Sequence, residues 1–475
     1  MSKKPKMVPV FWGLIALLLF ANFKSLRHVA PATAIGGLMI GAACMFPFYL
    51  WCAEKVRGIP VFPFFAITYL WTFCLPLLSD NPNVVQYSPA AHLYAAFCTT
   101  VFLGSGTIVW GQMVKSPNKK FKPFFALKAE KAETFFIAVV GAGVFLNMYV
   151  IGGWTGIPDN LFTIVRGVVL GLGFLGIFVV AYRAGQGLLT RTKVRVFFAF
   201  LCLYILTAAA SLILKTALTV FLLSVVAFVI GGRKLPLIPL VLGLIMLLPL
   251  HYGKHEMRHK YWEEGTTHYI QPWDYISWFQ EWSSYAEENL NEKPNPYIKK
   301  EKKESFIDRS SVIHMLMMAQ EKIPAQYPYL NGATYAILPQ LILPRALNPN
   351  KIRSHEGTHM LNIHIHRQTY QDTLKTTIAW GLLPEAYANF GLIGCAGVGA
   401  FLGAFYGFVT RSAIGTPAFS IRTLFCILIL SLALASTEWT AGVYTATLFQ
   451  SSMPLIGIKV VFMKLQRQPT AQSST

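Results

Sequence analysis

Two stretches of this chain spell the same five-residue pattern. "HEGTH" carries His355, Glu356 and His359, and "HEMRH" carries His255, Glu256 and His259. At that spacing a helix puts both imidazoles on one face, the arrangement with which zinc hydrolases hold their metal while the glutamate acts as base. A working site also needs a third ligand and an open position for water. Gly357 and Thr358 are weak helix formers, "ALNPNKIR" ahead of them is full of helix breakers, and Arg258 sets a positive charge inside the second motif. Nine of the eleven histidines fall between residues 251 and 378, so coincidental spacing is easy there, and His364 and His366 are the third-ligand candidates that remain. The expectation is no metal and no cofactor, with the histidines near 355 serving as hydrogen-bonding or proton-transfer groups. A zinc hydrolase stands as an alternative.

The elements that must position these residues are membrane helices. Of 475 residues, 54% are hydrophobic and 13% charged, against about a quarter charged in soluble domains. The formal charge of +20 would suit a nucleic-acid binder if it lay in a soluble domain. It does not, because the 128 residues from His251 to Ile378 hold 15 basic and 14 acidic side chains. The excess therefore belongs to the spans and their short connections, and no nucleic-acid partner is expected. All seven cysteines lie in apolar runs without a C-x-x-C pair, which argues against disulfides and cysteine-bound zinc.

A span takes about 20 mainly apolar residues. Runs near 8–23, 29–53, 59–78, 89–112, 133–151, 161–182, 196–214, 216–231, 235–250, 379–409, 420–437 and 444–462 predict an all-α polytopic membrane protein of about twelve transmembrane helices. About nine spans occupy residues 1–250, a loop occupies 251–378, three spans follow in 379–463, and 464–475 is a tail. The basic start "MSKKPK" precedes a first span, with no convincing cleavage site behind it. Lys and Arg gather in "KSPNKKFKPFFALKAEKAE", "RAGQGLLTRTKVR", "GGRK", at Arg411 and Arg422, and in the tail. Basic short loops stay in the cytoplasm, so both termini are expected there and the 251–378 loop outside; "KSLRH" dissents. The absence of an internal repeat, together with polar weight in one loop, favours chemistry at the outer surface over transport.

Within the loop, "YWEEGTTHYIQPWDYISWFQEWSSYAEENL" gathers Trp262, Trp273, Trp278 and Trp282, either as an interfacial belt or as a platform for sugar rings. "NEKPNPYIKKEKKES" reads as a solvated connector, and 307–322 as an amphipathic helix stopped by Pro324. "TYAILPQLIL" is too short and too proline-broken to cross, so it is re-entrant or surface-lying. Glu385 lies about six residues inside the next span, about 9 Å at roughly 1.5 Å per residue. A charge there is costly and functional by default.

With "DRSSVIHMLMMAQEKIPAQYPYLNGATYAILPQLILPRALNPNK" and "TTIAWGLLPEAYANFGLIG" in view, the chain resembles the bacterial oligosaccharide repeat-unit polymerases, the O-antigen-polymerase-like membrane glycosyltransferases of GT-C-like architecture. Arg309 before an apolar helix, the proline-to-glycine stretch "YPYLNGATY", Pro344-Arg345 with Lys351, the run from Glu385 to Gly391 and Lys215 beside Thr216 carry the resemblance. The histidine-rich "HEGTHMLNIHIH" and the "ALNPN" after Arg345 depart from it.

The resemblance implies transfer of a glycan from a polyprenyl diphosphate donor to a hydroxyl of a lipid-linked acceptor, in the bacterial inner membrane, beside a chain-length regulator and a flippase. Arginine forks suit the departing diphosphate, so Arg345 and Arg309 are the candidate catalytic cations, with Lys215, Lys351, Arg353 and Arg367 on the substrate. Tyr335, Tyr387 and Asn389 complete the substrate-binding set. Glu385, His355, Glu356 and His359 are the candidate bases; Glu385 alternatively neutralises Lys215 or an arginine. A ligase of finished glycans and a lipid-linked glycan transporter are further alternatives.

Overall fold

The computed structural model describes residues 7–79, 81–115, 123–232, 234–263, 269–291, 310–342, 348 and 351–466. Helices dominate it: α1 (Val8–His28), α2 (Pro31–Cys52), α3 (Val61–Leu78), α4 (Pro89–Lys115), α5 (Ala129–Ile151), α6 (Asp159–Gly185), α7 (Arg191–Ala210) and α8 (Leu214–Gly232) come first. They are followed by α9 (Leu237–Leu247), α10 (Tyr275–Asn291), α11 (Ile313–Lys322), α12 (Glu356–His364), α13 (Leu382–Ala413), α14 (Ile421–Ala435) and α15 (Ala441–Phe462). Among the described residues ten helices are long and apolar enough to cross a membrane, so the protein is an all-α polytopic membrane protein.

Two of the about twelve expected spans are not among these ten. In α1 the stretch Val8–Phe20 is apolar but shorter than a span. The run beginning with α9 passes through a tight turn at Pro249 and bends by 60° into the next helix; counted as one broken span it makes eleven.

The side of the bundle that carries residues 251–378 is the loop side. On the far side β1 (Phe124–Ala126) and β2 (Lys464–Gln466) form an antiparallel ribbon with Phe125 opposite Leu465. There the Glu133 carboxylate binds Arg183 at 2.6 Å and Lys193 at 2.8 Å, tying α5 to α6 and α7. A buried carboxylate is tolerated because two cations and their hydrogen bonds satisfy it.

At the centre α4 and α13 touch backbone to backbone. A side chain at Gly399 or Gly403 would overlap the Phe102 or Gly106 carbonyl, and Ser105 Oγ donates to Ala396 O at 2.9 Å. Small residues allow such approach, which replaces the hydrophobic drive that lipid-bathed helices lack.

The long loop does not sit on top of this bundle; it is plugged into it. Residues 70–74 of α3 form a wide π turn, and π turns leave backbone carbonyls free for other donors. Thr72 O accepts Val312 N at 2.9 Å and Trp71 O accepts Ser310 Oγ at 3.3 Å, so the start of α11 hangs on a membrane helix. A second seam forms where α13 breaks at Gly391 (φ 60°, ψ −145°), a conformation that suits glycine. The break releases the carbonyls of Ala388 and Asn389, which accept Leu330 N at 3.1 Å and Asn331 N at 3.2 Å. Two short helices, Ala333–Ala336 and Leu338–Ile342, then run along α15. This is the proline-broken stretch, seated beside the spans without crossing them.

The tryptophan-rich segment divides. Trp282 and Trp278 are buried, and Trp282 donates to Leu250 O at 2.8 Å, whereas Trp273 is 76% exposed. Half of that cluster is packing, which neither the belt nor the sugar platform anticipated. Residues 292–305 of the charged connector lie outside the described residues, as do 307–309 of the expected amphipathic helix.

Candidate functional site

Glu385 lies in the first turn of α13 with no surface exposed. Its Oε2 accepts the Ala441 backbone N–H at 2.6 Å, so the positive N-terminus of α15 meets the carboxylate. Its Oε1 makes no hydrogen bond among the described residues, with the Thr334 hydroxyl beside it. From the other side comes α12. A Cβ on Gly357 would stand 3.8 Å from Oε1, so the glycine in "HEGTH" leaves the carboxylate open toward that helix. Three elements therefore converge on one carboxyl group.

Each of them is fixed by further polar contacts. Thr358 and Thr440 share a hydrogen bond at 3.0 Å, holding α12 to α15. Asn362 donates to Ile378 O at 3.1 Å and accepts Trp380 Nε1 at 2.8 Å, holding α12 to the approach of α13. Asn389 is fully buried and uses its whole amide: Nδ2 donates to Thr334 Oγ1 and Glu385 O, both at 2.9 Å, and Oδ1 accepts Gly332 N at 3.0 Å. It docks the proline-broken stretch to α13.

"HEGTH" is helical from Glu356, contrary to the expectation from its glycine and threonine. Glu356 opens the helix where a negative charge is favourable, and the threonine is held by tertiary contact, so packing overrides propensity. His355 stands at the N-cap position, exposed, with its ring 6.4 Å from that of His359. His359 is buried, 3.4 Å from Thr377 Oγ1 and 3.9 Å from Glu356 Oε2. Burial holds its imidazole below the ordinary histidine range, which the Glu356 charge partly offsets. His364 turns elsewhere, to Pro328 O at 2.8 Å, and His366 packs against Tyr327. Among the described residues no three His, Cys, Asp or Glu side chains are grouped to hold a metal ion. In the second motif Arg258 donates to Leu212 O at 2.8 Å and stacks over Trp262 at 4.3 Å.

The cations divide as well. Lys215 pairs with Glu438 at 2.9 Å in the turn before α15, so Glu385 does not neutralise it. Lys351 lies 6.0 Å over the Phe449 ring, and Arg353 is exposed just ahead of α12, its carbonyl accepting Glu356 N at 3.1 Å. Arg345 and Arg309, the foremost cations expected from the sequence, lie outside the described residues.

Arg367 is half-buried just beyond the C-terminal end of α12, with no carboxylate at ion-pair distance among the described residues. Its guanidinium donates instead to the thioether sulfurs of Met315 and Met318, weak acceptors for a strong donor. Burial draws its pKa down, while His314 beside it is pushed down to about 4 by burial and by the arginine's charge.

Tyr387 is buried between Tyr94 and Tyr329, with ring centroids 6.3 and 6.4 Å away, and Tyr335 stacks on Phe390 at 6.1 Å. Composition and spacing did not single out Thr334, Ala441, Thr440 or His314. The signal for Ala441 was present in "STEWTAG", a polar break between two spans whose N–H groups a helix start must expose. No family model, curated protein or solved structure matches the chain.

Proposed function

We propose that the protein is a membrane glycosyltransferase that polymerises lipid-linked oligosaccharide repeat units on the outer face of a bacterial cytoplasmic membrane. The observation that carries the reading is Glu385, a fully buried carboxylate at the loop end of a span with one oxygen anchored and the other without a hydrogen bond among the described residues. A buried carboxylate poised in this way serves proton transfer better than ion pairing.

In the proposed step an acceptor hydroxyl oxygen bonds to the donor's anomeric carbon while the bond from that carbon to the diphosphate oxygen breaks. The hydroxyl proton passes to the Glu385 carboxylate, and polyprenyl diphosphate leaves with the bonding electrons. General-base help of this kind contributes about 10²- to 10⁴-fold. The leaving diphosphate needs fixed cations. Arg367, unpaired with any carboxylate among the described residues, is suited to that charge, and it lies just past the C-terminal end of α12, a nine-residue helix about 13 Å long whose first turn carries Gly357. Tyr94, Tyr329 and Tyr387 add ring faces and hydroxyls of the kind sugars stack on and bond to.

Purified protein in nanodiscs, given lipid-linked repeat units, should yield a ladder of longer lipid-linked glycans. A competent substrate that gives no ladder overturns the reading.

A further inference from the structure

Three methionines crowd one helix of the loop, in "HMLMMAQ", and two of them meet a cation. Met315 and Met318 stand one turn apart on α11, and both sulfurs accept from the same nitrogen, Arg367 Nη1, that of Met318 at 3.7 Å. A thioether is a weak acceptor for so strong a donor. Oxidation of the sulfur would change that, because a sulfoxide is polar and carries an oxygen. We infer that Met318 is a modification site for peroxides, whose sulfoxide oxygen captures the Arg367 guanidinium and withholds it from other anions. Modification and capture stand on the local geometry, and the accompanying loss of activity rests on the glycosyltransferase reading.

Three observations carry it. The first is access. Met315 and Met317 are 2% and 1% exposed, whereas Met318 is half-buried, as are Arg367 and Tyr87, on which the arginine's charge acts. A small water-borne oxidant therefore finds one sulfur of the three. The second is distance. At 3.7 Å the N–H···S contact is long, and an oxygen on that sulfur can approach the nitrogen at the about 2.9 Å of an ordinary N–H···O bond. The third is the lack of competition. Among the described residues no carboxylate pairs with Arg367, so the new oxygen displaces only sulfur as the acceptor.

In the step, a lone pair of the Met318 sulfur attacks one oxygen of hydrogen peroxide. The S–O bond forms, the O–O bond breaks, and the departing hydroxide takes the proton of the transferred oxygen and leaves as water. Sulfur gives up two electrons and the peroxide receives them. Methionine sulfoxide reductases reverse the change. A sulfoxide in a packed site is ordinarily disruptive. Here the guanidinium answers it with a charge-assisted hydrogen bond, roughly twice as strong as a neutral one, so the sign of the stability change is the signature of capture.

The test treats the full-length protein in nanodiscs with hydrogen peroxide and locates the added oxygen by fragmenting the peptide 310–322. Met318 should carry it while Met315 and Met317 do not. Oxidised wild type should melt no lower than untreated protein, whereas oxidised Arg367→Leu should melt below its own untreated form; Arg367→Ala serves if the leucine variant does not fold. Polymerisation should fall by about 10²-fold on oxidation, the cost of losing one charge-stabilising donor, and should return with methionine sulfoxide reductase. Met318→Gln, which sets a carboxamide oxygen in place of the sulfoxide, should show the loss without oxidant, and Met318→Leu should keep its untreated rate through the treatment. Oxygen spread equally over the three methionines, a fall in Tm as large in wild type as in Arg367→Leu, or an equal loss of turnover in treated Met318→Leu overturns the inference. A protein that makes no ladder before treatment refutes the transferase reading instead, and the mapping and melting results still decide the modification.

Discussion

The Glu385 carboxylate takes the Ala441 backbone N–H at 2.6 Å, so the start of one span fixes the acid group at the start of another. The bond leaves Oε1 facing Thr334 and Gly357. Glu385→Gln keeps an acceptor for Ala441 and removes only the basicity. It should stay folded by thermal unfolding and lose about 100-fold or more of polymerisation rate in the ladder assay. A variant that turns over like wild type would remove Glu385 from the chemistry.

Arg367 gives up no ion pair among the described residues when it is replaced, because sulfur atoms are its hydrogen-bond acceptors. Arg367→Leu should therefore melt at or above the wild-type temperature while turnover falls by about 10²-fold, the usual cost of one charge-stabilising donor. Arg367→Lys should recover little, since an ammonium lacks the fork that grips two oxygens. Equal loss of stability and turnover would make the arginine structural.

Asn389 satisfies Gly332 N, Thr334 Oγ1 and Glu385 O together. Asn389→Ala strands the Gly332 N–H and should destabilise by about 3 kcal/mol, the upper range for a buried unsatisfied group. Hydrogen exchange should rise first across 329–342. Uniform exchange across the chain would contradict its role as the docking residue.

His314 links stability to pH. The folded protein holds its imidazole neutral down to about 4, whereas the unfolded chain takes up the proton near the ordinary value of 6.5. Between those values the unfolded state binds more protons, so this contribution is complete above about 6.5 and is lost as pH falls toward about 4. Tm should drop from pH 7 to pH 5, and His314→Gln should flatten the drop. An equally steep decline in the variant would assign the effect to other groups.

Zinc should be absent in stoichiometric amount from purified protein by elemental analysis, and a chelator should leave polymerisation unchanged. One zinc per chain lost in His359→Ala would restore the hydrolase reading.

How far the sequence was legible depended on whether the deciding interaction was local. The spans follow from apolar length, and the proline-broken stretch at 334–343 was barred from crossing by length alone. Glu385 stood out because a carboxylate inside a span is costly enough to be rare there without a role. Lys215 and Glu385 look like partners by charge alone, yet the lysine reaches Glu438, more than 200 residues away in sequence; no periodicity encodes that choice. The helix over "HEGTH" was obscured for the same reason, since Thr358 and Asn362 are held by Thr440, Ile378 and Trp380. The run expected at 235–250 continues through a 60° bend to Trp262, and nothing in its apolar composition announces that bend.

The π turn in α3 also dictates an order of birth. Ser310 and Val312 seat on carbonyls of a helix synthesised more than 200 residues earlier, so that half of the socket awaits the loop as it emerges. The other half, on α13, does not yet exist when Asn331 and Gly332 emerge. The loop is therefore left incomplete until the ribosome has delivered Asn389, and a chain truncated before that residue leaves it as bait for proteases.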